Sequence, residues 1–464
     1  MVSCTFMPSP TAMSQKLHCV PRVFLVFALC LVVASATGSV SRIVTAASLQ
    51  APTSIPLQAS GDDALWRVDL HSLGFPSGDP QLQSRRALEE FNTIDFVGEG
   101  VVAATFITQQ SVPGAQRRDD LNRVRPYLLH AIFLDAASGK VLNVIEWPAD
   151  DPNVGIFPRY GGGFLFFSTE HIVLCSAEGK PIKYLPLTQL QAPHAGHIGI
   201  AESPSGKTLV VRFQQADSTI CIHIDTETLD ISEGSCAISR LFSISDSGMA
   251  ARSDKYYDRP ESSPVQPEVI GAVQKSQLDV FGSIQIQEQG KPARKLCDTS
   301  GLAGCKVPQF LNNEMIAVFD WYALGLIDAR DTVPKEQPKL QMKLAHHEWI
   351  DIVGRPVRTS SNGQRFAVAI NRPPSGLKGK KASIHAFLGD MPAAYPSHVD
   401  VFDLPLGQWV YSLNNKTNGP SSHPFQQIWG LALSPSGDKL VIDSGGVVQA
   451  YALPPSTKIS SPNP

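Results

Sequence analysis

Short runs of β-branched and aromatic residues, separated by Gly, Pro, Ser and Asn, recur along the chain from about residue 64 to residue 454. Apolar runs of this length that end at turn-forming residues predict β-strands. A helical spacing of apolar residues occurs only around residues 84–91. We therefore predict an almost all-β body over residues 62–457, followed by a disordered tail at residues 458–464.

One strand-turn-strand pattern is repeated within this body. Residues 200–211 and 431–442 each contain an apolar strand, a Ser-Pro-Ser-Gly turn and a second apolar strand. Weaker copies begin at Phe242 and Val357. Three further copies keep only a Gly or Asn turn between apolar strands, and they begin at Phe96, Tyr160 and Phe310. The repeat therefore predicts seven hairpins.

Most of these hairpins are followed by a second one, for example at residues 130–142 and 399–410. Two consecutive hairpins form a four-stranded antiparallel unit, which is the blade of a β-propeller. The Ser-Pro-x-Gly turn, together with the Asp-x-x-x-Gly-Lys turn of residues 135–140, resembles the WD40-like and YVTN-like propeller superfamily over residues 64–454. The resemblance implies that the chain is an all-β, seven-bladed propeller and an exported, bacterial-type member of this superfamily. It does not indicate an activity, because the superfamily includes scaffolds, receptors and enzymes.

The last predicted blade is incomplete. After three strands the chain enters Pro-Pro-Ser-Thr at residues 454–457, so a fourth strand is missing. The segment at residues 64–71 precedes the first blade and belongs to no complete unit. We predict that this segment supplies the missing strand, which closes the ring and removes an exposed sheet edge.

The N-terminal segment has the form of a secretory signal peptide. Lys16 and Arg22 precede an apolar run at residues 23–33, and Ala34-Ser-Ala provides a small-x-small cleavage site. The run is shorter than the roughly 20 apolar residues of a membrane span. We predict a signal peptide over residues 1–36, with an uncleaved membrane anchor as the alternative, and a flexible tether over residues 37–61. The protein is then secreted or periplasmic.

Composition narrows the classes of function. Charged residues make up 17% of the chain and hydrophobic residues 43%, which excludes a coiled coil or a disordered chain. The 39 basic and 42 acidic side chains argue against nucleic-acid binding, which requires a positive excess. Removal of the leader leaves five cysteines. We predict a disulfide between Cys297 and Cys305, which flank a short Gly-containing loop. The sequence leaves the oxidation state of Cys175, Cys221 and Cys236 open: outside the cytosol they can oxidise, and the apolar sequence around Cys175 and Cys221 also fits buried thiols.

Three of the connections between second and third strands are long, at residues 108–126, 253–267 and 372–397. They emerge on one face of a propeller because successive strands alternate in direction. Arg and Tyr are enriched at binding hot spots, and these connections contain several of them. The candidate binding residues are Arg117, Arg118, Arg123, Arg125, Tyr256, Tyr257, Arg259, Lys380, Lys381 and Tyr395. We predict that they bind a protein, peptide or glycan, with solvated, variable loops as the alternative.

Histidines precede several predicted inner strands, from which they could approach the mouth of the central channel. The candidate metal ligands are His346, His347 and His423. Imidazole binds zinc, copper and iron, so a transition-metal centre is one interpretation, and surface or turn-capping histidines are the other. The chain contains no nucleophile elbow, His-Glu-x-x-His helix, calcium loop or phosphate-binding Gly loop.

Three hypotheses about function follow. The first is a non-catalytic, exported binding propeller that needs no cofactor and makes no membrane contact beyond an N-terminal anchor. The second is a metal-dependent hydrolase or lactonase-like enzyme with its His cluster at the channel mouth. The third is a structural scaffold.

Overall fold

A computed structural model describes residues 57–76, 92–109, 127–149, 154–168, 170–187, 197–214, 219–233, 242–253, 283–288, 291–298, 307–319, 323–331, 340–343, 349–350, 357–371, 397–404, 407–414 and 428–456. The chain divides into two units, Met1–Leu49 and Gln50–Pro464, and every described residue belongs to the second. The predicted signal peptide, most of the predicted tether and the predicted C-terminal tail lie outside the described residues.

The described chain is almost entirely β-structure. It begins with two short strands, β1 (Leu57–Ser60) and β2 (Trp66–Asp69), each followed by a single-turn 3-10 helix, Gly61–Asp63 and Leu70–Leu73. Blade 1 contains β3 (Ile94–Gly98), β4 (Val101–Gln109), β5 (Tyr127–Asp135) and β6 (Val141–Ala149). Blade 2 contains β7 (Gly155–Pro158), β8 (Phe164–Phe167), β9 (His171–Cys175) and β10 (Pro181–Pro186). Blade 3 contains β11 (His197–Glu202), β12 (Thr208–Gln214), β13 (Thr219–Asp225) and β14 (Ile231–Glu233).

The same order continues through the second half of the ring. Blade 4 contains β15 (Phe242–Ile244), β16 (Ala250–Ser253), β17 (Ser283–Gln287) and β18 (Arg294–Asp298). Blade 5 contains β19 (Val307–Phe310), β20 (Met315–Phe319), β21 (Ala323–Asp328) and β22 (Leu340–Lys343). Blade 6 contains β23 (Trp349–Ile350), β24 (Val357–Thr359), β25 (Arg365–Asn371), β26 (Ser397–Asp403) and β27 (Gln408–Asn414). Blade 7 contains β28 (Ile428–Leu433), β29 (Lys439–Ser444) and β30 (Val447–Ala452).

Each blade is a sheet whose strands follow chain order, which confirms the predicted seven-bladed β-propeller. The predicted closure is also confirmed, because β2 pairs antiparallel with β30 and becomes the fourth strand of blade 7. The indole N–H of Trp66, on β2, donates to the carbonyl of Ala136 in blade 1 at 3.1 Å. The N-terminal strand therefore completes one blade and contacts the next.

The core is divided among the junctions between blades. In the described residues, buried apolar side chains form seven clusters, each shared by two neighbouring blades. Strand β8 shows the reason, since Phe164 and Phe166 pack toward blade 1 while Leu165 and Phe167 pack toward blade 3. Successive side chains of a strand point to opposite faces, so a strand with a blade on each side is apolar at every position.

A ring of hydrogen bonds links the seven first-to-second-strand turns. In blade 3 the backbone N–H and hydroxyl of Ser205 donate to Asp246 of blade 4, at 3.0 and 2.6 Å. Ser436 of blade 7 donates in the same way to the carboxylate of Glu99 in blade 1, at 3.0 and 2.6 Å. The other five junctions are bridged by the pairs Gly163–Val97, Tyr160–Gly206, Ser247–Asn313, Asn312–Gly363 and Asn362–Pro435. The repeated Ser-Pro-Ser-Gly turn is thus also a blade-to-blade contact.

Blade 6 departs from the simple repeat in two ways. Its inner edge is split, because β23 and β24 both pair with β25. Its outer edge carries an extra strand, since β1 pairs in parallel with β27, from Leu57 opposite Tyr411 to Ser60 opposite Asn414. The tether predicted for residues 37–61 therefore overlaps, in its last residues, with a paired strand that covers the edge of blade 6.

Two cysteines have a defined state. Cys175 is a buried free thiol, and burial raises its pKa to about 11. The oxidation state of Cys221 was left open by the sequence, and this equally buried residue is disulfide-bonded. Burial cannot distinguish a thiol from a half-cystine, so the apolar sequence around Cys221 was not informative. Cys305 and the side chain of Cys297 lie outside the described residues. In the part of the chain that is described, no helix has the length and apolarity to span a membrane.

Candidate functional site

The strand order defines two faces of the ring. We call the face with the second-to-third-strand and blade-to-blade connections the link face, and the face with the short hairpin turns the hairpin face. The three long connections lie between β4 and β5, between β16 and β17, and between β25 and β26, as predicted. All three therefore emerge on the link face. The candidate binding residues within them lie outside the described residues.

The candidate metal ligands His346, His347 and His423 also lie outside the described residues. Among the side chains that are described, no group of three or more His, Cys, Asp and Glu is arranged to hold a metal ion. The described part of the link face contains three His–carboxylate pairs. One is His398–Asp400 in blade 6, at 3.5 Å, and the other two lie at the closure between blades 7 and 1.

The first of the two pairs at the closure lies directly after the closing strand. The ring Nδ1 of His71 lies 2.7 Å from Oδ1 of Asp69, and the backbone N–H of His71 donates to the same oxygen at 2.9 Å. Burial opposes ionisation of Asp69, but these hydrogen bonds hold its pKa below the ordinary value. The imidazole of His71 packs closely against Gly446, which has a φ of +84°. A side chain at this position would prevent the contact, because its Cβ atom would lie 2.9 Å from Cε1 of His71.

A buried carboxylate lies beside this pair. Asp443 accepts a hydrogen bond from the Thr93 hydroxyl at 2.8 Å and one from the Gly446 backbone N–H at 3.0 Å. Burial raises the pKa of Asp443 to about 6, although both hydrogen bonds and the nearby charge of His71 act in the opposite direction. The closure of the ring thus contains a carboxylate that titrates close to neutral pH.

This carboxylate should make stability depend on pH. A carboxyl group whose pKa is higher in the folded than in the unfolded state favours folding more strongly when it is protonated. For Asp443 the two values are about 6 and 3.8, so its contribution to the free energy of unfolding should rise as the pH falls through 6. The expected slope is about 1.4 kcal/mol per pH unit between the two pKa values.

We expect Asp443→Asn to remove this slope, because the uncharged amide can accept the Gly446 N–H through its oxygen and donate from its NH2 to the Thr93 hydroxyl oxygen. Urea unfolding of the two proteins at a series of pH values from about 4 to 8 measures the difference between their free energies of unfolding. The contributions of the other titrating groups cancel in this difference. The variant should be the more stable protein at pH 8, with the two curves converging toward pH 4. Parallel curves would contradict the assignment.

The second pair lies across three strands of blade 1. Phe106 on β4, His130 on β5 and Glu146 on β6 are direct cross-strand partners, so their side chains share one face of the sheet. Nδ1 of His130 lies 2.9 Å from Oε1 of Glu146, and Nε2 lies 2.7 Å from the hydroxyl of Thr108. The imidazole stacks on Phe106 with ring centroids 4.6 Å apart. Thr108, His130 and Glu146 thus form a hydrogen-bonded row, which we call the blade 1 relay.

Burial lowers the pKa of His130 below its ordinary value, while the charge and hydrogen bond of Glu146 raise it in part. The imidazole is therefore neutral at pH 7. Sequence reasoning did not select His71 or His130, because neither belongs to a linear motif. His130 lies in the predicted hairpin at residues 130–142, but its partner on β6 cannot be counted from the sequence, because a bulge next to the turn shifts the register.

An apolar groove lies on the outer rim of the ring. It has a volume of about 380 Å³ between blades 1 and 2, and Phe133, Ile145 and Pro181 contribute to its lining. Leu142, which also lines the groove, is 53% exposed, and Ile182, the residue after Pro181, is 59% exposed. Exposed apolar side chains that are grouped in this way are typical of contact surfaces.

Comparison with known proteins adds little beyond the fold. No family model and no curated protein matches the chain. Among solved structures, the Neurospora crassa Pan2 WD40 domain is 10% identical with a TM-score of 0.44, covering 86% of this chain and 97% of that chain. A chain of the mitotic checkpoint complex is 9% identical with a TM-score of 0.42, covering 88% and 98%. The Dos1 propeller is 11% identical with a TM-score of 0.39, covering 79% and 93%.

These similarities are too low to support an argument about function. The fold follows from the chain itself, because its strands form seven consecutive blades and an N-terminal strand completes the last one. On that evidence the chain is a seven-bladed β-propeller.

Proposed function

We propose that the protein is an exported β-propeller that binds a protein, peptide or glycan partner through its link face. The observation that carries the proposal is the placement of the three long connections of blades 1, 4 and 6, which all leave the ring on this face. A propeller of this kind is compatible with a protein-binding scaffold. Long connections on a rigid scaffold are the usual location of binding residues.

The two faces differ in a way that supports this choice. On the hairpin face, polar groups of neighbouring turns form hydrogen bonds with one another, for example from Ser205 to Asp246 and from Ser436 to Glu99. Those groups hold the blades together and are therefore engaged. Export is supported by the leader at residues 1–36 and by the disulfide of Cys221, since disulfides persist mainly outside the reducing cytosol.

The proposal can be tested by photo-crosslinking from single tyrosine positions. A benzophenone amino acid placed at Tyr256, Tyr257 or Tyr395 puts the probe in the link-face connections, and the purified protein is irradiated in the extracellular or periplasmic fraction of its own cells. We expect all three positions to form adducts with the same partner, identified by mass spectrometry.

Two other tyrosines provide matched controls. Tyr160 lies in the β7–β8 turn of the hairpin face and is 50% exposed, and Tyr184 lies on the rim and is 59% exposed. Probes at these positions should not form that adduct. The proposal fails if adducts form only from Tyr160, which would indicate the hairpin face, or only from Tyr184, which would indicate the outer strand of blade 2. It also fails if no position forms an adduct.

A further inference from the structure

The hydrogen bonds of the blade 1 relay run in the direction that a nucleophile and its general base require. An ionised carboxylate only accepts hydrogen bonds, so the 2.9 Å contact with Glu146 places a proton on Nδ1 of His130. Nε2 then carries the free lone pair, and the Thr108 hydroxyl donates to it over 2.7 Å. A hydroxyl, an imidazole in this tautomer and a carboxylate behind it are the three parts that activate an alcohol for attack on a carbonyl.

Packing holds the central group of the relay in this orientation. The imidazole lies against the ring of Phe106 with an interplanar angle of 14°, and its side chain is only 13% exposed. Phe106 in turn contacts Phe75, which follows the closing strand. Phe106 therefore packs against the flat face of the imidazole, and both ring nitrogens of His130 have hydrogen-bond partners. The imidazole is also neutral at pH 7, as a general base requires.

The relay also lies where a substrate can reach it. Thr108 is the penultimate residue of β4, and the chain leaves the blade one residue later on the link face. Thr108 is half-buried, and the carboxylate side chain of Glu146 is 53% exposed. A different arrangement is found in blade 2, where the hydroxyl of Ser168 meets Nδ1 of His171, the other ring nitrogen, at 3.3 Å.

We propose that Thr108 is a nucleophile that takes an acyl group from an ester and transfers it to water. Its oxygen bonds to the ester carbonyl while its proton passes to Nε2 of His130. The intermediate collapses, the alcohol leaves with that proton, and the acyl group stays on Thr108. Water then attacks the acyl-threonine as His130 takes its proton. Collapse returns this proton to Thr108 and releases the carboxylic acid. Thr108 and His130 are the catalytic residues, and Glu146 is a positioning residue.

The test uses the intact protein and a fluorophosphonate probe, which reacts with activated hydroxyl groups with loss of fluoride. We expect one adduct, located by peptide mass spectrometry on Thr108, and none on Thr108→Val, which keeps the shape without the hydroxyl. His130→Gln should slow the labelling by about 10²-fold or more, which is the usual contribution of a general base. Ser168→Ala and His171→Gln alter the blade 2 pair and should leave the rate unchanged.

The role of Glu146 has its own readout. The ¹⁵N NMR signals of His130 should show a proton on Nδ1 in the natural protein and a mixture of tautomers in Glu146→Gln, together with slower labelling.

The proposal is overturned if Thr108 is not labelled, or if it is labelled equally fast in His130→Gln. If Thr108→Val and His130→Gln lower the unfolding midpoint while the natural protein forms no adduct, the relay is a structural element only. None of these results bears on partner binding at the link face.

Discussion

Trp66→Ala should lower the free energy of unfolding by about 3–5 kcal/mol, the usual cost of truncating a buried aromatic side chain. Trp66 is 8% exposed and lies in the apolar cluster between blades 7 and 1. Its ring also packs over Gly139, where a Cβ atom would lie only 2.7 Å from the indole. The substitution leaves a cavity and removes the indole hydrogen bond to Ala136 at the place where the ring is closed without a covalent link.

The neighbouring residue provides the control. Leu65 is 51% exposed, and its contact with β30 is a backbone hydrogen bond to Ala450, which a substitution keeps. Leu65→Ala should therefore have little effect in the same urea titration. If both variants unfold at the same denaturant concentration, the closing strand does not hold the ring together and the argument is wrong.

The closing strand was predictable because each feature that indicates it can be recognised within a few residues of sequence. Apolar runs, turn residues and a count of hairpins are enough to show that blade 7 lacks a strand and that residues 64–71 are unused. The hairpins that begin at Phe96 and Tyr160 were found in the same way, although they keep only a Gly-containing turn. Turn chemistry and side-chain alternation act within a few residues, so they can be interpreted from sequence.

The blade 1 relay could not be found by the same counting. Strands β5 and β6 pair Phe133 with Asn143 and Leu134 with Val141, so a bulge shifts the register next to the turn. A regular hairpin counted outward from Leu134 and Val141 would place Ile145 opposite His130 and turn Glu146 to the other face. The observed pairing depends on one extra residue, and a slip of one residue exchanges the faces of a strand.

The pairing of β1 with β27 in blade 6 could not be predicted from the sequence either. The segment at residues 57–60 is too short and too weakly apolar to be predicted as a strand, and it becomes one only by pairing with β27. Arg365 was also not singled out. It follows a predicted Asn-Gly turn, where a charged residue is normally solvated, but its surroundings come from another strand and another blade.

Arg365→Met should be the second strongly destabilising substitution, with an expected loss of about 3–5 kcal/mol, the cost of breaking a buried ion pair on one side. Arg365 is 1% exposed, and its Nε donates to the carboxylate of Asp403 at 2.6 Å. Its Nη1 donates to the carbonyl of Gly437 in blade 7 at 2.7 Å. The substitution therefore leaves Asp403 without its guanidinium partner, in a site where that carboxylate side chain is only 6% exposed.

Two further variants separate the ion pair from its surroundings. Lys291→Ala breaks an ion pair with Glu288 whose side chains are 67% and 38% exposed, and it should leave the urea midpoint unchanged because solvent screens such pairs. Adding Asp403→Leu to Arg365→Met should recover most of the loss, since a matched apolar pair is often as stable as a buried ion pair. If Arg365→Met is as mild as Lys291→Ala, or if the double variant is less stable than Arg365→Met alone, the loss does not arise from breaking the ion pair between Arg365 and Asp403. The joint between blades 6 and 7 would then depend on the hydrogen bond to Gly437 and on packing.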